Sequence, residues 1–134
     1  MPAPLPWPDV EELLGAWLRS RPALAGVRVA NEVPADLAGA LPLLVVRIVP
    51  GGGDDRVSDI ASVDVEAFAA DRAAMWQLAE LARRQLLAAA GAGGDPRIDT
   101  VDTDARPGEV PYGNPAVRRA IATYSVTCRA RTAA

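Results

Sequence analysis

Apolar residues recur at helical spacing in two parts of the chain. Between 8 and 20 they fall three and four residues apart, with acids at the start and arginines at the end, which predicts an amphipathic helix over 8–20. A second stripe follows Asp71, a good N-cap, and stops at a glycine-rich run at 91–94, which predicts a helix over 72–90. The two stripes consist of Val10, Leu13, Leu14, Trp17, Leu18 and of Met75, Leu78, Ala79, Ala82, Leu86, Ala89.

Five other stretches have the pattern of β-strands. They are 27–33, 41–49, 57–69, 97–103 and 117–130. The stretch 41–49 is apolar almost throughout, which indicates a strand covered on both faces. The stretches 57–69 and 117–130 alternate between apolar and mostly polar residues, which indicates strands with one buried face.

The segments between these elements are rich in glycine and proline. The sequence PGGGDD at 50–55 predicts a flexible tip between the two strands of a hairpin. Residues 106–115 contain three prolines and two glycines, which predicts an irregular connection. We expect a proline-rich, extended lead-in at 1–7 and a frayed tail at 131–134.

The order of these elements is α-β-β-β-α-β-β. A length of 134 residues is typical of one domain, so we expect a single domain over 1–134. Short connections favour hairpins, and two amphipathic helices need an apolar surface to cover. The sequence therefore predicts an α+β fold in which a mostly antiparallel sheet has both helices packed on one face.

The composition excludes most kinds of catalytic and metal site. The chain has no histidine, no lysine and one cysteine, so it lacks histidine triads, zinc clusters and the lysine of a phosphate-binding loop. Asp54, Asp55 and Asp59 lack the spacing of a calcium loop, and Cys128 falls in an apolar stretch that is typical of a buried thiol. We therefore expect no enzyme activity, no cofactor and no bound metal.

Charge is modest overall but uneven along the chain. A net charge of −3 argues against general nucleic-acid binding, which is typical of basic domains. Residues 1–67 carry ten acids against five arginines, and residues 68–134 carry seven against nine. This asymmetry suits a contact between unlike surfaces of neighbouring copies, although two solvated faces explain it as well. No apolar run reaches the length of a membrane span, so we expect no membrane association.

Four stretches of the sequence together resemble one protein family. They are WPDVEELL at 7–14, the hairpin 43–67 with its GGGDD tip, FAADRAA at 68–74, and VPYGNPAVRR at 110–119 followed by ATYSVT at 122–127. In this order and spacing they are similar to the tail terminator, or tail completion, proteins of long-tailed bacteriophages and prophages of high-GC actinobacteria. The resemblance covers nearly the whole chain, while each motif alone is unspecific.

The resemblance implies a structural role in a virion. Members of this family are α+β subunits of a ring, generally a hexamer, at the junction of tail and neck. The ring caps the tail tube, stops its polymerisation and provides the surface on which the head connector docks. DNA only passes through its lumen, and a lumen lined with acidic or neutral residues would let it slide. The resemblance implies no catalysis, and assembly would take place in the cytoplasm of the bacterial host.

Two groups of residues are candidates for contacts in such a ring. The segment 51–55 is long enough to reach a neighbour or the tube. The segment 106–119 combines proline, tyrosine and arginine, and tyrosine and arginine are enriched at interfaces; an ordered surface loop is an equally simple reading. Trp76 lies at the edge of the second helical stripe, where it closes the core or contacts another subunit. The candidate ring or tube contacts are Gly51, Gly52, Gly53, Asp54, Asp55, Trp76, Tyr112, Asn114, Arg118 and Arg119.

Three other functions stay open at this point. The chain could be another head–tail joining protein, such as a connector or stopper. It could be a tail-tube subunit, which would polymerise without limit. It could also be a small ligand-binding or enzymatic αβ-sandwich domain, which would need a deep polar pocket.

Overall fold

Two helices and five strands make up the part of the chain that the computed structural model describes, residues 7–55, 57–94 and 96–129. The predicted order of elements is confirmed, with two short 3₁₀ turns added at Pro22–Leu24 and Ala38–Ala40. The lead-in, apart from Trp7, and the tail predicted at 131–134 lie outside the described residues. The elements are α1 (Val10–Arg19), β1 (Arg28–Ala30), β2 (Leu43–Asp54), β3 (Ser58–Ala69), α2 (Arg72–Leu87), β4 (Ile98–Glu109) and β5 (Arg118–Arg129).

Both helices begin at an aspartate cap, as their sequences predict. The Asp9 carboxylate accepts a hydrogen bond from the backbone N–H of Glu12 at 3.2 Å, and Asp71 accepts one from Ala74 at 2.8 Å. The helices also contact each other, because the indole N–H of Trp17 donates to the backbone oxygen of Gln85 at 2.7 Å. This bond joins α1 to the last turns of α2.

The strands form one sheet in the order β1-β2-β3-β5-β4. β1 pairs with β2 in parallel, and the other three pairs are antiparallel. Both helices pack on one face of this sheet, which is called the helix-covered face below. The buried residues of that face include Leu14 and Leu18 of α1, Met75 and Leu86 of α2, and Val65, Ala122 and Val126 of the sheet. The predicted mostly antiparallel α+β fold is therefore confirmed.

The opposite face of the sheet is called the open face. The part of the open face at the start of β2 is covered by a small second core. In it, Leu43 and Val45 pack with Leu37, Phe68 and Val117. The start of β2 is thus buried on both faces, as its continuous apolar sequence predicts. Beyond this cluster the open face carries mostly polar residues, although Val49, Ile60 and Ile121 also lie on it.

The prediction of a flexible loop at 50–55 is wrong for most of that segment. β2 continues to Asp54, and Gly52, Gly53 and Asp54 pair with Ala61, Ile60 and Asp59 of β3. A bulge between Val49 and Gly52 absorbs the extra residues. Gly51 and Gly52 adopt φ values of 140° and 77°, which glycine alone adopts without strain. The glycines therefore continue the strand through a bulge instead of releasing it as a loop.

The prediction of an irregular segment at 106–115 is wrong for its first part. β4 runs on to Glu109, although the sequence suggested a strand that stops at residue 103. Register shifts at Ala105 and Gly108 accommodate Pro107 in the strand. β4 is an edge strand of the sheet, where a missing backbone N–H costs no ladder bond.

Candidate subunit interface

The ten candidate residues lie in two groups at opposite ends of the sheet. Residues 51–55 are at the end where Asp54 pairs with Asp59, here called the hairpin end. The other five lie near the opposite end of β3, where Ala69 pairs with Arg118, here called the groove end. At about 3.3 Å per residue, the ten steps along β3 from Asp59 to Ala69 separate the two ends by about 33 Å. No single contact can therefore involve both groups of one copy.

Carboxylates dominate the described residues of the hairpin end. One carboxylate oxygen of Asp55 accepts hydrogen bonds from the backbone N–H groups of Val57 at 2.9 Å and Ser58 at 2.8 Å, which close the turn and lower the pKa of Asp55. Partial burial, and then the negative charge of Asp54, raise the pKa of Asp59. Asp54 is exposed. The described residues of the hairpin end thus present acidic groups where β2 connects to β3.

A turn at 113–117 shapes the groove end. Gly113 has a φ of 89°, and the side-chain oxygen of Asn114 accepts a hydrogen bond from the N–H of Ala116 at 3.0 Å. The backbone oxygen of Asn114 accepts another from Val117 at 3.0 Å. Asn114 therefore shapes this turn from within the chain.

Tyr112 is held between two side chains. Its ring meets that of Phe68 edge to face, with 5.3 Å between centroids, and the Arg119 guanidinium lies 5.1 Å from its centroid. Arg119 also donates to the backbone oxygens of Val110 at 3.3 Å and Pro111 at 3.2 Å. Tyr112 is nevertheless 37% exposed. The result is a fixed aromatic ring with a face open to solvent.

An ion-pair network joins this loop to helix α2. Arg118 makes a two-pronged contact with Glu109, with Nε–Oε2 at 2.6 Å and Nη2–Oε1 at 3.2 Å. These hydrogen bonds lower the pKa of Glu109 and raise that of Arg118. Arg72 lies 4.0 Å from Glu109 and 5.8 Å from the ring of Trp76. Trp76 is half-buried, and its indole N–H has no hydrogen-bond partner among the described residues.

A groove of about 520 Å³ lies between these side chains. Its walls are largely apolar, and its two charged residues, Glu109 and Arg118, are paired with each other. The residues that line it are Glu109, Pro111, Tyr112, Gly113, Asn114, Pro115, Val117 and Arg118. The size suits a few side chains of another polypeptide.

The open face of the sheet carries a third surface, which is polar. The hydroxyl of Thr123 donates to the Asp64 carboxylate at 2.7 Å, and the hydroxyl of Ser125 donates to Asp104. Along the neighbouring strands, Arg47 pairs in register with Asp64. Hydroxyls and carboxylates tied to one another therefore cover the central part of this face.

The described residues contain no group of three or more side chains that could hold a metal ion. None of their helices has the length and apolar character needed to cross a membrane. Cys128 is fully buried, as its sequence context predicts. Desolvation, followed by the charges of Asp59 and Asp99, raises the pKa of its thiol to about 11.

The thiol of Cys128 is expected to be inert while the protein is folded. A rise of the pKa from 9.0 to about 11 lowers the thiolate fraction at pH 8 by about 100-fold, and burial blocks access further. An aromatic disulfide reagent at pH 8 should release no thiolate dye from native protein and one equivalent in denaturant. Rapid labelling of the native protein would contradict the burial of this side chain.

Three functional features escaped the sequence reading. Val110 is 38% exposed beside Tyr112, Glu109 pairs with Arg118, and Arg72 links that pair to Trp76. The pairing of Glu109 depends on the extension of β4, which the proline-rich sequence concealed. Conversely, Asn114 and Arg119 have partners within the chain, so they shape the surface that Tyr112 and Val110 present.

The fold defines a class of protein: a small α+β domain in which two helices pack on one face of a five-stranded, mostly antiparallel sheet. The sequence profile of phage tail termination proteins matches residues 6–103, well over half of the chain, and the chain belongs to that family. This is a family of structural tail proteins. No curated protein sequence matches the chain.

A solved structure shares the fold. It is a chain from the virion of a native gene transfer agent particle, with a TM-score of 0.65 and 17% sequence identity. The match covers 90% of this chain and 94% of the other. At this level of identity the likeness concerns the fold alone.

Proposed function

We propose that the protein forms a ring, of six copies, that caps the tail tube at the junction of tail and neck. The ring ends polymerisation of the tube and offers its other side to the head connector, and DNA passes through the lumen. The family match supports a role at the end of a tail. We infer that the ring assembles in the cytoplasm of the bacterial host, that residues 1–134 act as one unit and that no catalysis is involved.

The separation of the hairpin end from the groove end carries this proposal. A ring requires two different surfaces on each subunit, so that the second surface of one copy meets the first surface of the next. The hairpin end offers Asp54, Asp55 and Asp59, and the groove end offers Arg72, which lies 4.0 Å from Glu109. A rigid sheet holds these unlike surfaces about 33 Å apart. We propose that the acidic end of one copy contacts the arginine-containing end of its neighbour.

The open face is the surface that we assign to the lumen. Carboxylates and hydroxyls dominate the central part of this face. Thr123 and Asp64 are hydrogen-bonded to each other. Such a surface holds phosphates weakly, so DNA slides past it. Averaged electron images of the ring would test this placement, and an open face turned outward would overturn it.

Tail length is the measurement that tests the capping function. The tail-tube protein of the same particle should form tubes of uncontrolled length alone and shorter, capped tubes when this protein is added. Negative-stain images with light scattering give both length and mass. Unlimited polymers of this protein alone would identify it as a tube subunit. Binding to the head connector without any effect on tube length would identify a connector or stopper.

A charge reversal tests the proposed contact between copies. Burial and then the charge of Asp54 raise the pKa of Asp59, and Asp54→Arg removes the second of these causes, so the fold should tolerate it. Ring formation should nevertheless require at least a tenfold higher protein concentration. Adding Arg72→Asp should restore assembly if the two ends meet. Glu32→Arg makes the same change of charge at an exposed position elsewhere and serves as the control. Normal rings from Asp54→Arg would exclude the hairpin end from this contact.

A further inference from the structure

The apolar groove at the groove end lacks an occupant among the described residues, and its walls restrict what could fill it. Tyr112 supplies a fixed aromatic wall, and Pro111, Pro115 and Val117 supply apolar ones. The charged residues Glu109 and Arg118 satisfy each other at 2.6 Å. A charged segment would therefore gain little there, and a neutral apolar segment fits the chemistry.

The chain contains one segment of that chemistry outside the described residues. Residues 1–6 read MPAPLP, with proline at every second position and no side-chain charge. Proline-rich segments bind grooves lined by aromatic residues because proline restricts the free backbone and so reduces the entropy lost on binding. Both the segment, apart from Pro6, and the groove-forming turn at 113–117 lie outside residues 6–103, where the chain matches its family.

We propose that residues 1–6 of one copy bind the Tyr112 groove of a neighbouring copy. This binding rests on the proposed ring only because it requires a second copy of the protein nearby. It adds a second contact between subunits, made by an apolar arm, to the contact between charged ends.

Residues 1–6 cannot reach the groove of their own copy. α1 begins beside Ile48, whose N–H donates to Glu11 at 3.0 Å, and ends beside Val29, whose oxygen accepts from Arg19 at 3.1 Å. Val29 pairs with Leu44, so α1 ends near the part of β2 that lies close to Phe68 and begins further along the strand, away from Phe68 and Tyr112. The groove is about 17 Å back along the strands and about 10 Å across them. Six residues span only about 19 Å in a polyproline conformation, which leaves none to occupy the groove.

Binding of a synthetic peptide tests the groove independently of the ring. A fluorescent peptide of residues 1–7 should bind the full-length protein in an anisotropy titration. Tyr112→Ala should weaken binding at least tenfold. Tyr112→Phe keeps the aromatic side chain and should retain peptide binding. The peptide with alanine at positions 2, 4 and 6 should also bind at least several-fold more weakly. Absence of binding to the native protein, or equal binding by Tyr112→Ala, would overturn the proposal.

Cross-linking tests whether the arm reaches a second copy. Leu5→Cys and Pro115→Cys, made in separate chains and mixed, should form a disulfide-linked dimer under mild oxidation. Leu5→Cys mixed with Ala90→Cys, an exposed position at the end of α2, is the control and should link at least tenfold more slowly. The native Cys128 is buried and adds no background. Equal rates in the two mixtures would overturn the contact between copies.

The two experiments separate this inference from the proposed function. Peptide binding by a protein that never forms rings would support the proposed binding groove and contradict the proposed ring. If rings form normally but the peptide does not bind and the cysteines do not link, the proposed ring stands and the proposed contact of residues 1–6 is contradicted. Melting temperatures of all variants within a few degrees of the native value exclude unfolding as the cause.

Discussion

Replacement of Leu86 by aspartate is expected to unfold the protein. Leu86 is 0% exposed in the core beneath α2, where a carboxylate would have no partner. Loss of the leucine alone costs about 2–5 kcal/mol, and an uncompensated charge adds several more. Domains of this size have about 5–15 kcal/mol of stability in total, so little or none would remain. The same outcome is expected for Leu14→Asp in α1, which is also fully buried.

The adjacent residue provides a matched control. Leu87 lies one position further along α2 and is 40% exposed, so Leu87→Asp should shift the unfolding transition only slightly. Thermal unfolding followed by circular dichroism distinguishes the two variants. A cooperative melt of Leu86→Asp near the native temperature would show that this side chain does not lie in the core.

Replacement of Gly52 by alanine is expected to disrupt the bulge in the β2–β3 hairpin. A Cβ atom at this position would lie 1.9 Å from the backbone oxygen of Ile60, and the φ of 77° is strained for any other residue. The conformational strain costs about 1–3 kcal/mol, and relief of the contact would require the strands to move apart. Urea unfolding should therefore show a clear loss of stability, with loss of amide-exchange protection around the bulge.

Gly53→Ala is the control for this experiment. No heavy atom lies within 4 Å of a Cβ at Gly53, and its φ is outside the positive range. Alanine there should be neutral or should stabilise the strand by about 0.5–1 kcal/mol, because it restricts the unfolded chain. Equal effects of the two substitutions would contradict the bulge, and equal tail-capping activity would show that the geometry of the hairpin end is unimportant for assembly.

The contacts that we propose for the two ends of the sheet differ in kind. The hairpin end has carboxylates, and exposed charges chiefly determine the rate and specificity of association. The groove end has a fixed aromatic ring beside apolar walls, and such groups supply most of the binding energy at interfaces. Subunits that joined through both the hairpin end and the groove end would associate selectively and dissociate slowly.

The sequence by itself determined the order, type and approximate position of the elements. Spacing of three and four along α1 and α2, the aspartate caps and the alternation in β3 and β5 all arise within a few residues of each other. Because these signals are local, periodicity alone is enough to predict which residues face the core. The absence of histidine and lysine likewise needed no structure to exclude whole classes of chemistry.

Tertiary structure decided the rest, namely the ends of β2 and β4 and the grouping of the candidate residues. Glycine and proline signal breaks in the local chain, yet pairing with β3 held Gly52 and Gly53 in a strand, and pairing with β5 held Pro107 in another. Glu109 meets Arg118, and Tyr112 meets Phe68, because strand register brings distant residues together. Register depends on the summed energy of whole strand pairs, which no short stretch of sequence contains.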